Sequence, residues 1–391
     1  MTSNGYSFRM LTSRLYVGNV LERLAEIEEG SVRTCVTSPP YYGLRDYGTA
    51  DYEGGDPDCK HTISHNDAEK SARVDERVTR GNRTNCLKCG ARRIDNQIGL
   101  ESSPEEYVAN IVAVFREVWR VLTDDGTVWL NLGDSYWGGK GQSGSASAEM
   151  QAVRNERGDS LNRSHQSIGG KKYTRPTDGK HSVIKPKDLV GIPWRVALAL
   201  QADGWYLRQD IIWSKPNPMP ESVKDRCTKS HEYIFLLSKS KCYYFDSEAI
   251  KEPVSQAYRE RAKRATSDRH KNSQGAPGQS PHTFLQAQDR DPDREVPETR
   301  NRRSVWTVTT KPFKGAHFAT YPEELIEPCI LAGSAPDDTV LDPFTGSGTT
   351  AVVANRLGRN FVGTELNPDY ATIASKRIGE ANPLFASIEL L

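Results

Sequence analysis

Residues 340–370 read VLDPFTGSGTTAVVANRLGRNFVGTELNPDY, and this stretch decides the fold class. An apolar run ends at Asp342-Pro343, a turn carries Gly346 and Gly348, TTAVVANRLG opens a helix, and FVGTE is a second β-prone run. Strand, glycine turn, helix, strand is the building unit of a parallel sheet. The glycines let the backbone turn sharply and approach a ligand closely. The carboxyl end of such a strand is where open α/β sheets hold cofactors. Glu365 closes the second run about fifteen residues past the turn, placed to accept both hydroxyls of a ribose. The turn is no phosphate loop, because no Lys-Ser/Thr pair follows its glycines. A dinucleotide fingerprint, Gly346-x-Gly348-x-x-Ala351 with Glu365, fits it, and so does a bare strand–helix turn.

Working outward, TYPEELIEPCILAG before the turn reads as a helix, and a further helix follows Asn367-Pro368. The opposite end of the chain repeats the pattern. Leu15 to Val17 is β-prone, Leu21, Leu24 and Ile27 share a helical face with Asn19 as N-cap, and Val32 to Thr37 is a strand stopped by Pro39-Pro40. Ser103-Pro104-Glu105-Glu106 starts a helix whose apolar stripe is Tyr107, Ile111, Val114, Phe115, Val118 and Leu122. Asp125-Gly126 then turns into the strand TVWLNLGD. A helix from about Gly191, a strand from Leu207 to Trp213 and the strand HEYIFLLSKS complete the middle. The fold expected is α/β, a doubly wound, mostly parallel sheet assembled from two sequence-distant halves and interrupted by polar inserts. The divisions are 1–49, a first insert at 50–98, 99–137, a mobile loop at 138–184, 185–252, a basic insert at 253–303, and the cofactor-binding half at 304–391.

The strand ending at Thr37 leads into Ser38-Pro39-Pro40-Tyr41-Tyr42. These residue types suit methylation of an aromatic exocyclic amine. The lone pair of such an amine is delocalised into its ring, so acceptors must hold its hydrogens and draw the lone pair toward a methyl donor. The Ser38 hydroxyl and the Pro39 carbonyl can accept, the prolines stiffen the loop, and Tyr41 can stack on a base taken out of a duplex. A Pro-Pro loop that merely ends a strand is the plainer alternative for this segment alone.

VTSPPYYGLRDYG and the 340–370 segment resemble motifs IV and I of the amino-methylating DNA methyltransferases. Their order, catalytic loop first and cofactor turn last, resembles the permuted beta class of that family. GTVWLNLGDSY, LVGIPWRVALALQADGWYLRQDIIWSKPNPMP and HEYIFLLSKS are similar to its middle strands. The resemblance implies a class I S-adenosylmethionine-dependent methyltransferase fold. It implies that Ser38, Pro39, Pro40 and Tyr41 form the catalytic tetrad. Asp342, Phe344, Gly346, Gly348, Thr349 and Thr350 would hold the methionine part of the cofactor, with Asp342 able to accept from its ammonium group. Glu365 would hold the ribose, Phe318 and Pro322 would cap the cofactor, and Asn19 would lie near the adenine in place of the family's usual aspartate. Transfer would be direct, so no catalytic cysteine is expected, and Cys35 reads as buried packing. Asp46 is a further proton-acceptor candidate. In the family a serine before Pro-Pro goes with cytosine N4 and an aspartate with adenine N6, so cytosine N4 is favoured here, with adenine N6 as the alternative. Outside this class, an NAD-binding oxidoreductase would leave the Ser-Pro-Pro-Tyr segment unexplained, and an inactive DNA-binding module would leave both motifs unexplained.

The remaining features concern partners. Cys59-x-His61 and Cys86-x-x-Cys89-Gly90 have the spacing of a structural zinc site, with His65 able to replace His61. Arg73, Arg77, Arg80, Arg83, Arg92 and Arg93 surround it. Arg259, Arg261, Lys263, Arg264, Arg269, Lys271, Arg300, Arg302 and Arg303 crowd the later insert. Such runs suit phosphate contacts with double-stranded DNA, or a plain solvated face. The Trp213–Pro218 segment ends a strand on the catalytic side and either walls a base pocket or braces the sheet. A net charge of +1 excludes a polycation. Seven cysteines in 391 residues give no disulfide scaffold. No apolar run reaches the length of a bilayer span and the first residues lack a secretory pattern, so a cytoplasmic, bacterial or phage-encoded protein is expected. A homodimer and a cognate restriction nuclease are further expected partners.

Overall fold

The computed structural model describes residues 11–44, 49, 51–59, 85–86, 88–138, 181–257, 259–260, 297–311, 321–381 and 386–391. In chain order its elements are β1 (Leu11–Val17), α1 (Val20–Ala25), β2 (Val32–Thr37), β3 (Asp51–Glu53), β4 (Arg92–Ile94), α2 (Pro104–Val121), β5 (Leu122–Leu132), α3 (Ile192–Ala202), β6 (Tyr206–Ser214), β7 (His231–Ser238), β8 (Glu252–Pro253), β9 (Thr299–Arg300), β10 (Val305–Thr307), α4 (Glu323–Gly333), β11 (Thr339–Asp342), α5 (Thr349–Arg356), β12 (Asn360–Glu365), α6 (Pro368–Ala381) and β13 (Ala386–Leu390).

Nine strands form one sheet in the order β10-β6-β7-β5-β2-β11-β12-β1-β13. β7 runs antiparallel to both its neighbours, and every other pairing in the sheet is parallel. β11 is the pivot. Its chain continues to β12 on one side, while its other neighbour, β2, comes from the start of the sequence. Loops leaving the two strand ends diverge there and open a crevice, the usual ligand position in such sheets.

Local chemistry accounts for the elements. Asn19 caps α1, its Oδ1 accepting from the Leu21 N–H at 2.9 Å. Ser103 caps α2, its Oγ accepting from the Glu106 N–H at 3.1 Å, and Pro104 occupies the first turn where no N–H is needed. Tyr107, Ile111, Val114, Phe115 and Val118 form the apolar stripe of α2 and are wholly buried. Each such side chain contributes on the order of 1.5–3 kcal/mol by leaving water. Their cluster includes Leu24 of α1 and Leu200 of α3, covering one face of the sheet. Leu325 and Ile330 of α4 with Val353 of α5 cover the other. Helices therefore lie on both faces, as a doubly wound sheet requires.

Three features differ from expectation. β5 begins directly at Leu122, without a separate turn. The extra residues are absorbed as an irregularity, where the β2 pairing steps from Val32–Leu122 to Thr34–Thr127. β13, which the sequence left unassigned, adds in parallel to β1. The last residues of the loop expected at 138–184 are ordered, with the His181 ring 5.1 Å from that of Trp137 and Ile184 buried. Most of that loop, like most of the 253–303 insert, lies outside the described residues. No helix among the described residues is long and apolar enough to cross a membrane.

Candidate active site where two adjacent strands end

The turn after β11 takes its shape from its glycines and from a ring of hydrogen bonds. Gly346 (φ 54°) and Gly348 (φ 81°) lie in the left-handed region. A Cβ on Gly348 would come within 3.0 Å of Ala374 Cβ on α6, so only glycine lets the helix approach. The Gly346 N–H donates to Glu365 Oε2 at 2.8 Å, and Asn367 N–H donates to Glu365 Oε1 at 2.9 Å. From α6, the Arg377 guanidinium donates to the Ser347 carbonyl at 2.6 Å and to its hydroxyl at 2.8 Å. Glu365, expected to hold a ribose, fastens the turn. Burial pushes the Glu365 carboxyl up to about 7, although both backbone N–H groups pull it down.

Asp342 is the clasp between the two sequence halves. It is buried, and its Oδ1 accepts from Thr37 Oγ1 on β2 at 2.6 Å and from Phe344 N–H at 3.0 Å. Its Oδ2 accepts from Thr350 Oγ1 at 2.6 Å and from the Tyr321 hydroxyl at 3.1 Å. Burial raises its carboxyl above the usual range, and these donors offset part of the rise. With both oxygens engaged by the protein, Asp342 orders the site from behind its wall.

One cleft of about 890 Å³, its open mouth included, lies over this junction. Ser38 and Pro40 of the Ser-Pro-Pro-Tyr loop line it together with Phe344, Gly346 and Thr349 of the glycine turn and Glu365 at the end of β12. The two motifs singled out in the sequence therefore share one cavity, although Thr37 and Asp342 are 305 positions apart. Other expected residues sit elsewhere. Gly18 and Val20 line the cleft, while Asn19 between them caps its own helix. Pro39 is buried, and Pro322 starts α4 behind the wall, where its neighbour Tyr321 reaches the cleft instead. Thr350 is buried on Asp342, and Gly348 caps α5. Phe318 and Asp46 lie outside the described residues. Cys35 is buried in β2, where burial pushes its thiol well up, as packing requires.

The catalytic loop is braced from below. Tyr107 of α2 donates to the Pro40 carbonyl at 2.9 Å, and Gly43 N–H donates to Gly99 O at 2.8 Å. Tyr41 is packed so tightly on Gly133 that a Cβ there would come within 2.4 Å of its ring. Its hydroxyl lies 3.1 Å from Asn131 Oδ1 and 2.9 Å from Glu232 Oε2. The ring is thus packed on Gly133 and its hydroxyl is engaged by the sheet.

Residues that the sequence analysis missed include Tyr321, Arg377, Asn131 and Glu232, together with Asn96, Gln97 and Ile98 in the cleft wall. The last three follow β4 after Asp95, so the cysteine hairpin leads into the cleft. In that hairpin the sulfurs of Cys59, Cys86 and Cys89 lie within 4.8 Å of one another. Lys88 N–H points at Cys86 Sγ at 3.4 Å. The Ala91 N–H holds the Cys89 thiol below its ordinary value. His61 and His65 lie outside the described residues, as do most basic residues of both inserts. Of the rest, Arg300 and Arg303 share Glu252, and Arg302 lies over the Trp306 ring at 4.7 Å.

Sheet order, permuted strand sequence and shared cleft define the class I S-adenosylmethionine-dependent methyltransferase fold. Residues 32–376 match the N6/N4 DNA methylase family, and the chain belongs to it. It is 41% identical over 367 residues to the Type II methyltransferase M.Cfr9I of Citrobacter freundii, covering 93% of this chain and 87% of that one. It is 39% identical over 365 residues to M.SmaI of Serratia marcescens, with 93% and 90% covered. Among solved structures, the PvuII DNA methyltransferase (cytosine-N4-specific) shares the fold at a TM-score of 0.50 and 15% identity, with 97% of this chain and 98% of that one covered.

Thr37→Val, isosteric but without the hydroxyl, leaves Asp342 one donor short in a buried setting. It is expected to lower the unfolding free energy by about 1–3 kcal/mol, read by chemical denaturation. An unchanged midpoint and slope would show that the clasp carries no load.

Proposed function

We propose that the protein transfers a methyl group from S-adenosylmethionine to the N4 amine of a cytosine flipped out of double-stranded DNA. The observation that supports this most is the cleft shared by Ser38 and the glycine turn of β11. The residues around it fit the cofactor: a carboxylate for a ribose, glycine backbone for the methionine part, and Phe344 and Tyr321 as apolar wall. When bound, the cofactor supplies an electrophilic methyl group on a positively charged sulfur. Ser38 Oγ accepts one amine hydrogen and the Pro39 carbonyl the other, which localises the nitrogen lone pair toward the methyl. Hydrogen bonds from Tyr107 to Pro40 and from Gly43 to Gly99 brace the loop, which supports acceptors positioned before substrate arrives. Serine rather than aspartate at position 38 supports cytosine over adenine through the family resemblance. The likeness to Type II methyltransferases supports a partnership with a restriction nuclease of the same sequence specificity.

The hairpin cysteines support a structural zinc ion. Three sulfurs in reach of one point, with backbone N–H groups aimed at two of them, match a thiolate zinc site. His61, or His65, would complete it. Because β4 leads through Asp95 into Asn96-Gln97-Ile98, the zinc would also steady the cleft wall.

Incubation with tritiated cofactor and DNA, followed by nucleoside digestion, is expected to give N4-methylcytosine; label in N6-methyladenine would move the assignment to the alternative base. Ser38→Ala should lower the transfer rate by about 10²-fold with cofactor affinity unchanged, as for loss of one positioned hydrogen bond.

Cofactor affinity should depend on pH through Glu365. Its carboxyl, raised to about 7, is largely protonated below that value and accepts ribose hydroxyls best when ionised. Binding measured calorimetrically should therefore tighten as pH rises through about 7, and Glu365→Gln should bind weakly without that dependence. A flat wild-type profile would remove Glu365 from the ribose site.

Purified protein is expected to carry one zinc per chain by metal analysis. Stripping it should weaken cofactor binding; full affinity in metal-free protein would detach the hairpin from the cleft.

A further inference from the structure

Behind the catalytic loop lies a polar cluster that cofactor binding does not use. Glu232 on β7 directs Oε2 at the Tyr41 hydroxyl, 2.9 Å away, and Ser38 Oγ donates to that same hydroxyl at 3.4 Å. The other carboxylate oxygen, Oε1, is paired with the Lys215 ammonium, which also sits 4.1 Å from the Trp213 ring centroid. Both charged side chains are largely shielded from water, at 16% and 17% exposure. A buried ion pair adds little net stability over apolar packing of the same volume, so its position invites a chemical explanation. Direct amine methylation supplies one. A nitrogen that gains a methyl group carries a proton too many, and Ser38 cannot keep it.

We propose that Glu232 is the final acceptor of the proton released in methyl transfer, reached from the substrate amine through Ser38 Oγ and the Tyr41 hydroxyl. The inference rests on the role given to Ser38 above. The new nitrogen–carbon bond forms as the carbon–sulfur bond breaks, with its electron pair left on sulfur. The nitrogen then gives a proton to Ser38 Oγ, the Ser38 hydroxyl proton moves to the Tyr41 oxygen, and the Tyr41 proton moves to Glu232 Oε2. The cationic nitrogen and the carboxylate both end neutral, and both hydroxyls are restored. Glu232 touches no substrate, so it acts through its neighbours.

The surrounding groups fix the direction. Asn131 Oδ1 is also within 3.1 Å of the Tyr41 hydroxyl, but a neutral amide accepts a hydrogen bond and not a proton. Its amide nitrogen donates to the Tyr233 carbonyl at 3.1 Å, which turns the oxygen toward Tyr41. Burial and the Glu232 charge hold the Tyr41 phenol well above its ordinary value, so it stays a proton carrier. Lys215 and Lys229 are the cations facing Glu232, and Lys229 also faces Asp134 and Glu221. The Ser38–Tyr41 contact is long, as catalytic hydrogen bonds often are before substrate tightens them.

The test is single-turnover methyl transfer across a pH series, at saturating cofactor so that Glu365 is not read, with the full chain, its DNA substrate and tritiated S-adenosylmethionine. Wild type should lose rate as pH falls, along a one-proton limb. Glu232→Gln should lower the plateau by about 10²-fold, the lower range for a lost proton acceptor, and abolish the limb, with cofactor affinity unchanged. Tyr41→Phe, which leaves the Glu232–Lys215 pair intact, should do the same, and the double variant should be no slower than either single one. A Glu232→Gln enzyme with wild-type rate and limb, or losses that add in the double variant, would overturn the relay. Should Glu232→Gln fail to bind cofactor, Tyr41→Phe decides alone: a retained limb is a negative result. Wild-type transfer to an exocyclic amine, read by nucleoside digestion, keeps a failure of the relay separate from a failure of the Ser38 role.

Discussion

A buried carboxylate fastens the two halves of this enzyme at the cleft, beside the strand pairing that joins them. Asp342 ends β11, and Thr37 ends the neighbouring β2; their 2.6 Å hydrogen bond ties a strand from the start of the chain to one near its end. A carboxylate with no water around it is costly unless its oxygens are occupied. Here Thr37, Phe344, Thr350 and Tyr321 occupy them, one group from each piece that must meet: the catalytic strand, the glycine turn, the helix after it and the segment before α4. The electrostatic need of one residue therefore sets the register of four segments. The cleft above inherits its shape from that register.

This arrangement explains how a permuted chain builds an ordinary site. A parallel sheet sets no requirement on which strand comes first in sequence, only on which strand ends lie side by side. β2 and β11 need only pair in parallel with their carboxyl ends level, and the Thr37–Asp342 bond enforces that level. The glycine turn is fixed independently, by Glu365 on β12 and by Arg377 on α6. The glycine turn and the Ser-Pro-Pro-Tyr loop are thus held by different contacts, and the β2–β11 pairing and the clasp bring them together.

Much of this was legible in the sequence because it is local. Caps at Asn19 and Ser103, the α2 stripe and the glycine turn each depend on residues within a turn or two of one another, and each appears in the structure where the pattern put it. What was not legible depends on distant pairing. β13 is a short segment of five residues, and its partner β1 lies at the other end of the chain. Tyr41 carries the motif's aromatic, yet Gly133, Asn131 and Glu232, from two other strands, determine which way it faces. Asn19 shows the same limit in reverse. A motif marked it as a cofactor contact, and in the structure its side chain caps its own helix while Gly18 and Val20 line the cleft.

Residues that sequence motifs named lie both at the cleft and behind it: Ser38, Phe344 and Gly346 line it, while Asp342 and Thr350 are buried behind it. A pattern records residues whose type a short local segment requires, as with the glycines of the turn. Tyr321, Arg377 and Glu232 instead reach distant partners, Asp342, Ser347 and Tyr41, and many side chains could do so from many positions. Only the fold says which one does. Glu232 is the case where holding and chemistry meet. A carboxylate shielded in the sheet, paired with Lys215 and aimed at a tyrosine hydroxyl, braces the catalytic loop in the resting enzyme. The same geometry leads from Ser38 to the nearest group able to take a proton. Bracing alone would be served as well by a glutamine, whose amide can accept the Tyr41 hydrogen bond. An ionised acid at this position, with a lysine beside it, is the part that bracing leaves unexplained.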